Sequence, residues 1–191
     1  MSITRRWSVS VADKAIIIEG PDGSGKTQLA TDLCEEFSRE YRRPPAEALS
    51  STTGPADWLP EWWNGQLALN PSALARGVYD RCFYISDPIY QQAQANRPLL
   101  IEGKALARGL ANLWTVEPII VFCLPPFEVQ LANVKQSGRE RLDGVDDKDL
   151  EKINNAYWAY SELWFQALGG DVMRYDYTEA NAWSNLLANL G

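Results

Sequence analysis

Histidine is missing altogether from the 191 residues. Its absence removes the side chain most often used to move protons near neutral pH, so acid–base chemistry falls to Asp, Glu, Lys, Tyr or water. It also argues against a catalytic zinc site of the usual kind. Cysteine is scarce. Cys34, Cys82 and Cys123 are far apart, have no metal-ligand spacing, and read as reduced, mostly buried thiols of a cytoplasmic protein. No apolar run approaches the length that spans a bilayer, so no membrane association is expected. The opening "MSITRRWSVSVADK" carries arginines with no continuous apolar stretch behind them, which is not the layout of a secretory leader. Positive charge is outnumbered, 18 Lys and Arg against 25 Asp and Glu, for a formal charge of −7. That balance argues against strong non-specific binding of nucleic acid. It leaves room for local basic groups, which cluster at Arg39, Arg42 and Arg43 and again at Lys135, Arg139 and Arg141.

What is present reads as one domain over residues 1–191, long enough to bury a full core, with ordinary hydrophobic (46%) and charged (23%) content. There is no internal repeat, low-complexity tract or linker. The β-branched run at 15–19 predicts a strand buried on both faces. Leu29, Leu33, Phe37 and Tyr41 recur every fourth residue and predict a helix over 26–41, stopped by Arg42-Arg43-Pro44-Pro45. Residues 46–52 are a candidate second strand, and 53–71, rich in Pro, Gly and Trp, a loop with a short helix. "GVYDR" reads as a strand end. "SDPIYQQAQ" reads as a helix start with Ser86 or Asp87 as cap and Pro88 at the first helical position. "IIVFCL" is a buried strand followed by a helix over about 127–136. A long helix is expected at 147–168, a last strand at 171–177 and a closing helix at about 179–190. Strands alternating with helices imply an α/β fold, a parallel sheet wrapped on both faces.

The segment Gly20-Pro21-Asp22-Gly23-Ser24-Gly25-Lys26-Thr27 satisfies G-x-x-x-x-G-K-[ST], between a buried strand and an amphipathic helix. Glycines let the backbone curl so that successive N–H groups point inward, and the helix start adds its positive end. In such a loop the lysine reaches the β- and γ-phosphates of a nucleotide and the Thr hydroxyl serves Mg²⁺. The N-K-x-D guanine motif of GTPases is absent. Glu102, at the end of "LLIEG", is a candidate acidic strand end of the motor-ATPase type, although a surface residue at an element end is its more ordinary reading. The small size favours a small-substrate phosphotransferase.

Two further groups point the same way. Asp80-Arg81 sits at the C-terminal end of a predicted strand, the edge where open α/β sheets bind ligands. A carboxylate there can serve Mg²⁺ or accept a proton, and the guanidinium can grip phosphate. "KQSGRERLDGVDDKD" (residues 135–149), with Arg139 and Arg141, reads either as a solvated charged loop or as a lid that brings cations to a migrating phosphoryl group.

"EGPDGSGKTQLATDL", "DRCFYISDPIYQ" and "PIIVFCLPPFEVQLANVKQSGRERLD" together resemble the thymidylate kinase family: its P-loop, its Asp-Arg motif, and its fourth strand with an arginine-bearing lid. The resemblance implies a five-stranded parallel sheet of the P-loop NTPase fold, ATP and Mg²⁺, and transfer to a thymidine-type deoxynucleotide. It implies that Lys26 and Thr27 hold the triphosphate and Mg²⁺ and that Asp80 and Arg81 serve the acceptor side, with Asp80 near the metal. Arg139 and Arg141 would clamp the transferring group, and the adenine would lie near residues 177–180.

The family's Arg-Glu-Pro-Gly segment has no counterpart. Its place is taken by "ALSSTTGPADWLPEWWNG", with Trp58, Trp62 and Trp63 on or near one helix face. These indoles either fill core or a homodimer interface, or stack on an acceptor base. The second use would fit a divergent viral group that phosphorylates 5-hydroxymethyluracil within DNA, working in a host cytoplasm. A third possibility is a non-catalytic module that uses the P-loop as a switch.

Overall fold

The computed structural model describes residues 13–44, 58–94, 103–137 and 146–191. Its centre is one parallel sheet of five strands: β1 (Ile16–Glu19), β2 (Glu40–Arg42), β3 (Gly77–Asp80), β4 (Ile119–Cys123) and β5 (Val172–Tyr175), ordered β2-β3-β1-β4-β5. Its helices are α1 (Lys26–Phe37), α2 (Trp58–Leu67), α3 (Pro71–Ala75), α4 (Phe83–Ala93), α5 (Gly103–Thr115), α6 (Phe127–Ser137), α7 (Asp147–Leu168) and α8 (Ala182–Leu190).

The central strand explains the two-sided wrapping. Alternate residues of a strand point to opposite faces. Ile16 and Ile18 meet Leu29 and Leu33 of α1 and Leu186 and Leu190 of α8. Ile17 faces the other core, with Trp63, Tyr79, Phe83, Ile120 and Tyr157. A strand that must be apolar on both faces reads as an unbroken run, and "AIII" is one. The chain leaves β1 toward β2 and β3 on one side and returns to β4 on the other. The crevice at such a switch point, beyond the strand C-termini, holds Gly20 and Arg81.

Several expected elements move. α1 ends at Phe37, not Tyr41: Ser38 turns left-handed (φ 51°) and the Arg39 N–H closes onto Cys34 O at 2.9 Å. The chain then enters β2 at once, so Tyr41 lies on the edge strand and its four-residue spacing from Phe37 is coincidental. The second strand is therefore Glu40–Arg42; residues 46–52 lie outside the described residues. The basic cluster there is occupied structurally. Arg39 donates to the carbonyls of Lys14 and Ala75, and Arg42 to Gln66 and Glu40.

α4 also starts early, at Phe83. Ser86 and Asp87 are buried inside it and Pro88 lies in its interior. Neither Ser86 nor Asp87 is the cap. Glu19, 63 residues upstream, accepts the Cys82 N–H at the helix start. α5 has no counterpart in the sequence reading. It is held close by Gly109, whose Cα lies against the Tyr84 ring where any Cβ would collide. α7 has the expected bounds, and its Asp146 side chain caps the Asp149 N–H at 2.8 Å.

The tryptophans of α2 divide. Trp63 is 1% exposed, in the core, with its ring centroid 5.1 Å from that of Tyr79. Trp62 is half-buried, edge-on to Trp63 at 5.3 Å. The Trp58 side chain lies outside the described residues. Trp63 is thus not available to stack on a base: both its faces are spent on protein. Its indole N–H finds no acceptor among the described residues. Trp63→Ala should destabilise the fold by about 3–5 kcal/mol in chemical denaturation. Trp63→Phe, which leaves a smaller cavity and also removes the unsatisfied donor, should cost less than Trp63→Ala.

Candidate active site

The glycine-rich turn follows β1 and ends at the first residue of α1. Gly23 (φ 79°) and Gly25 (φ 87°) take conformations open to glycine but strained for other residues. Gly23 is pinned sterically too, because a Cβ there would stand 2.7 Å from Gln130 O and from a Val134 methyl. Lys26 folds back across the loop and donates to Pro21 O at 2.6 Å. Burial, together with the neighbouring Arg81, lowers its pKa to about 8, against the opposing pull of Asp22, Asp80 and Glu19.

The Asp80-Arg81 pair arrives by strand register. β1 and β3 align Ile18 with Asp80, and the Arg81 N–H donates to Ile18 O at 2.9 Å. Asp80 is buried and takes two hydroxyl donors on one oxygen. Thr27 Oγ1 lies 2.9 Å from its Oδ2, and the Tyr41 hydroxyl lies 2.7 Å from the same atom. Burial and the hydrogen bond to Asp80 push the Tyr41 phenol up to about 12, which keeps it a donor at neutral pH.

Arg81 adopts φ 80°, an uncommon left-handed conformation for a non-glycine residue. The turn aims its guanidinium at the P-loop, where Nη2 meets Asp22 Oδ1 at 2.8 Å. Tyr90 completes the pair: its ring lies under Arg81 at 5.3 Å and its hydroxyl donates to Asp22 Oδ2 at 3.3 Å. Glu19 holds the turn from below, accepting the Cys82 N–H with one oxygen and the Tyr157 hydroxyl, at 3.3 Å, with the other. Burial raises the Glu19 pKa to about 7, against the favourable fields of Arg81 and Lys26.

Thus Lys26, Thr27, Asp80 and Arg81 come together with the whole of residues 20–25. Arg139, Arg141 and Glu102 lie outside the described residues. Of the candidate lid, an ion pair between Lys135 and Asp147 at 3.0 Å bridges the ends of α6 and α7. Sequence reasoning missed Tyr41, Tyr90 and Tyr157. Tyr90 stood within the quoted Asp-Arg segment and was the one with a readable signal. No group of three or more His, Cys, Asp or Glu among the described residues could hold a metal alone. A hydroxyl and a carboxylate 2.9 Å apart suit a hard cation that takes most of its oxygens from phosphate and water, as Mg²⁺ does. No described helix is long and apolar enough to cross a membrane.

A strand, a phosphate-type glycine loop, a helix and an acidic strand end in a five-stranded parallel sheet define the P-loop NTPase fold. Solved structures share this fold. Deoxyadenosine kinase from M. mycoides with bound dCTP matches with a TM-score of 0.57 and 14% identity over 92% of this chain and 98% of that one. The YorR protein from Bacillus subtilis, in complex with phosphorylated GDP, matches at 0.58 and 19% over 92% and 94%. Shikimate kinase from Acinetobacter baumannii, in complex with shikimate, matches at 0.58 and 16% over 93% and 90%. At these identities the likeness is one of fold. No family model and no curated protein matches the chain.

The raised Glu19 pKa has a defined consequence for stability. Between the ordinary value of 4.5 and about 7 the folded protein binds this proton more tightly than the unfolded chain does. Stability from this group is therefore full below about 4.5 and falls as pH rises through 7. Glu19→Gln should remove that slope. Urea midpoints measured at pH 4.5 and 7.5 should differ less for the variant than for the wild type.

Proposed function

We propose that this protein is an ATP- and Mg²⁺-dependent phosphotransferase that moves the γ-phosphoryl group of ATP to a deoxynucleoside or deoxynucleotide, of thymidine type on the sequence resemblance. The observation that carries the reading is the contact between Thr27 and Asp80 at 2.9 Å, beside the Arg81–Asp22 pair formed by the next residue of the chain. It sets a metal-suited carboxylate behind the phosphate loop and a guanidinium–carboxylate pair beside it. The M. mycoides enzyme, named for deoxyadenosine and holding dCTP or dATP, supports a nucleoside-type acceptor.

In this reading the loop N–H groups and Lys26 hold the β- and γ-phosphates. Lys26 gives up Pro21 O to do so, and a triphosphate beside it raises its depressed pKa again, so the ammonium is fully charged when it is needed. Thr27 and Asp80 would hold Mg²⁺, which would supply positive charge against that of the phosphates. Arg81 stabilises negative charge on the acceptor side, while Asp22 and Tyr90 fix its direction. Arg139 and Arg141 are the candidates for the remaining cations. With a phosphate acceptor little proton removal is required, and Asp80, already holding two hydroxyl donors, organises the metal shell. A hydroxyl acceptor needs a base, and Asp22 or Asp80 is the carboxylate within reach.

The alternative acceptor, a 5-hydroxymethyluracil base within DNA, leaned on stacking by Trp58, Trp62 and Trp63. The burial of Trp63 and the net charge of −7 both favour the smaller acceptor.

γ-Labelled ATP should be offered with free deoxynucleosides, deoxynucleoside monophosphates, ordinary DNA and DNA containing 5-hydroxymethyluracil. Label is expected on a free acceptor. Label confined to modified DNA would replace the acceptor, and ATP binding without transfer would point to the non-catalytic switch. Lys26→Ala should lower turnover at least about 100-fold with the fold intact. Asp80→Asn should lower kcat more than ATP affinity; a selective loss of ATP binding would move Asp80 out of the metal role.

A further inference from the structure

The proposed function needs the loop's N–H groups to face the triphosphate, and that requirement has a geometric counterpart. A peptide unit is planar, with its C=O and the next residue's N–H pointing in opposite directions. Every inward N–H therefore turns a carbonyl outward, into the protein, where it must find a donor. The carbonyls of residues 22–25 all do. Pro21 O stands apart: it takes Lys26 Nζ, which the triphosphate would draw away, and, at 3.3 Å, the Ser24 N–H. Gly25 O takes the Leu29 N–H of α1 at 3.0 Å. Side chains from β4 and α6 supply the other three. Gln130 Nε2 donates to Asp22 O at 2.9 Å, Asn133 Nδ2 to Gly23 O at 2.8 Å, and the Cys123 thiol to Ser24 O.

The two amides are built in with care for direction. Gln130 is fully buried on α6, and a buried amide could present either its NH₂ or its oxygen to the loop. Asn154, buried on α7, decides which: its Nδ2 donates to Gln130 Oε1 at 2.6 Å and leaves Gln130 Nε2 for Asp22 O. The absence of a side chain at Gly23 lets α6 come close enough for these contacts. Asn133 is anchored as well, since its Nδ2 also donates to the Tyr177 hydroxyl at 2.8 Å. The Tyr177 ring in turn lies 3.0 Å from where a Gly25 Cβ would stand.

We propose that Gln130 and Asn133, with Asn154 behind Gln130, are positioning residues for the triphosphate: they hold the Asp22 and Gly23 peptides with their carbonyls outward and so fix the direction of the loop N–H groups. The inference rests on the phosphate-loop reading and concerns side chains that touch no substrate. It also explains the buried primary amides of Gln130 and Asn154, which would be costly to keep without partners.

The test uses neutral, donor-free replacements, so that no added charge repels phosphate. Gln130→Met with Asn154→Leu removes the strut without leaving Asn154 unpaired, and Asn133→Leu removes the half-buried second strut. Binding of inorganic tripolyphosphate, which probes the loop without a base, and of ATP is measured by calorimetry beside thermal melting and steady-state kinetics. Each variant should bind both probes about tenfold more weakly and raise KM for ATP by a similar factor. KM for the acceptor should stay within threefold, and melting should stay close to wild type. Wild-type affinity for tripolyphosphate in both variants overturns the inference and leaves the phosphate-loop reading standing. So does a loss that affects ATP and acceptor equally and follows the fall in melting temperature, since that is a purely structural role. Should the double variant not fold, Asn133→Leu decides. A wild-type protein with no affinity for tripolyphosphate or ATP overturns the phosphate-loop reading, and this inference with it.

Discussion

Ile18 of β1 pairs with Asp80 of β3, and the candidate site hangs from that register. It brings Arg81 within reach of Ile18 O and sets Asp80 against Thr27. A slip of one residue would turn Asp80 to the other face of the sheet and leave the glycine loop without its carboxylate. The register is secured by the apolar alternation of both strands. Val78 faces one core with Ile16 and Ile18, and Tyr79 faces the other with Ile17. Hydrophobic burial, which specifies the fold, thereby also specifies the distance between the loop and its acidic partner.

Around that register five charged groups share a small, largely buried volume: Glu19, Asp22, Lys26, Asp80 and Arg81. None is isolated. Arg81 is paired with Asp22, Asp80 takes hydroxyls from Thr27 and Tyr41, Glu19 takes a backbone amide and a tyrosine, and Lys26 leans on a carbonyl. Burial nevertheless shifts two of them in opposite directions, the lysine down and the glutamate up. In the proposed function this cluster accepts a ligand that is itself charged: phosphate oxygens would favour the lysine's ammonium form further, and a cation would suit the hydroxyl–carboxylate pair. The outer wall is quieter, made of neutral amides and a thiol.

Much of this was legible in the sequence because it is local. The P-loop is contiguous, the strand before it is an apolar run, and α7 carries its own cap and period, so Gly20 to Thr27 and Asp147–Leu168 could be read directly. Asp80-Arg81 was readable as a pair at a strand end. What escaped depends on distance in sequence. The Glu19 carboxylate starts α4 from 63 residues away, and nothing near Cys82 announces it; Ser86, Asp87 and Pro88 imitate a start that the chain does not use. Tyr41 imitated the α1 stripe because the left-handed turn at Ser38, taken by a non-glycine residue, has no strong local signature. The indoles of α2 could be read as core or as a stacking surface, and packing against Tyr79 places Trp63 in the core.

In the proposed function the loop and the Asp80–Arg81 edge form a single device that passes phosphate from a nucleotide to a second molecule. Release of ADP, followed continuously in a coupled assay with ATP and Mg²⁺, measures this most directly when run with and without a free deoxynucleoside or deoxynucleotide. Slow release alone and a stimulation of at least about tenfold by the right acceptor are expected, because water is a poor substitute for a bound, oriented nucleophile. Release that is equally fast without any acceptor would contradict the proposed function, and would make the protein a nucleotide hydrolase instead.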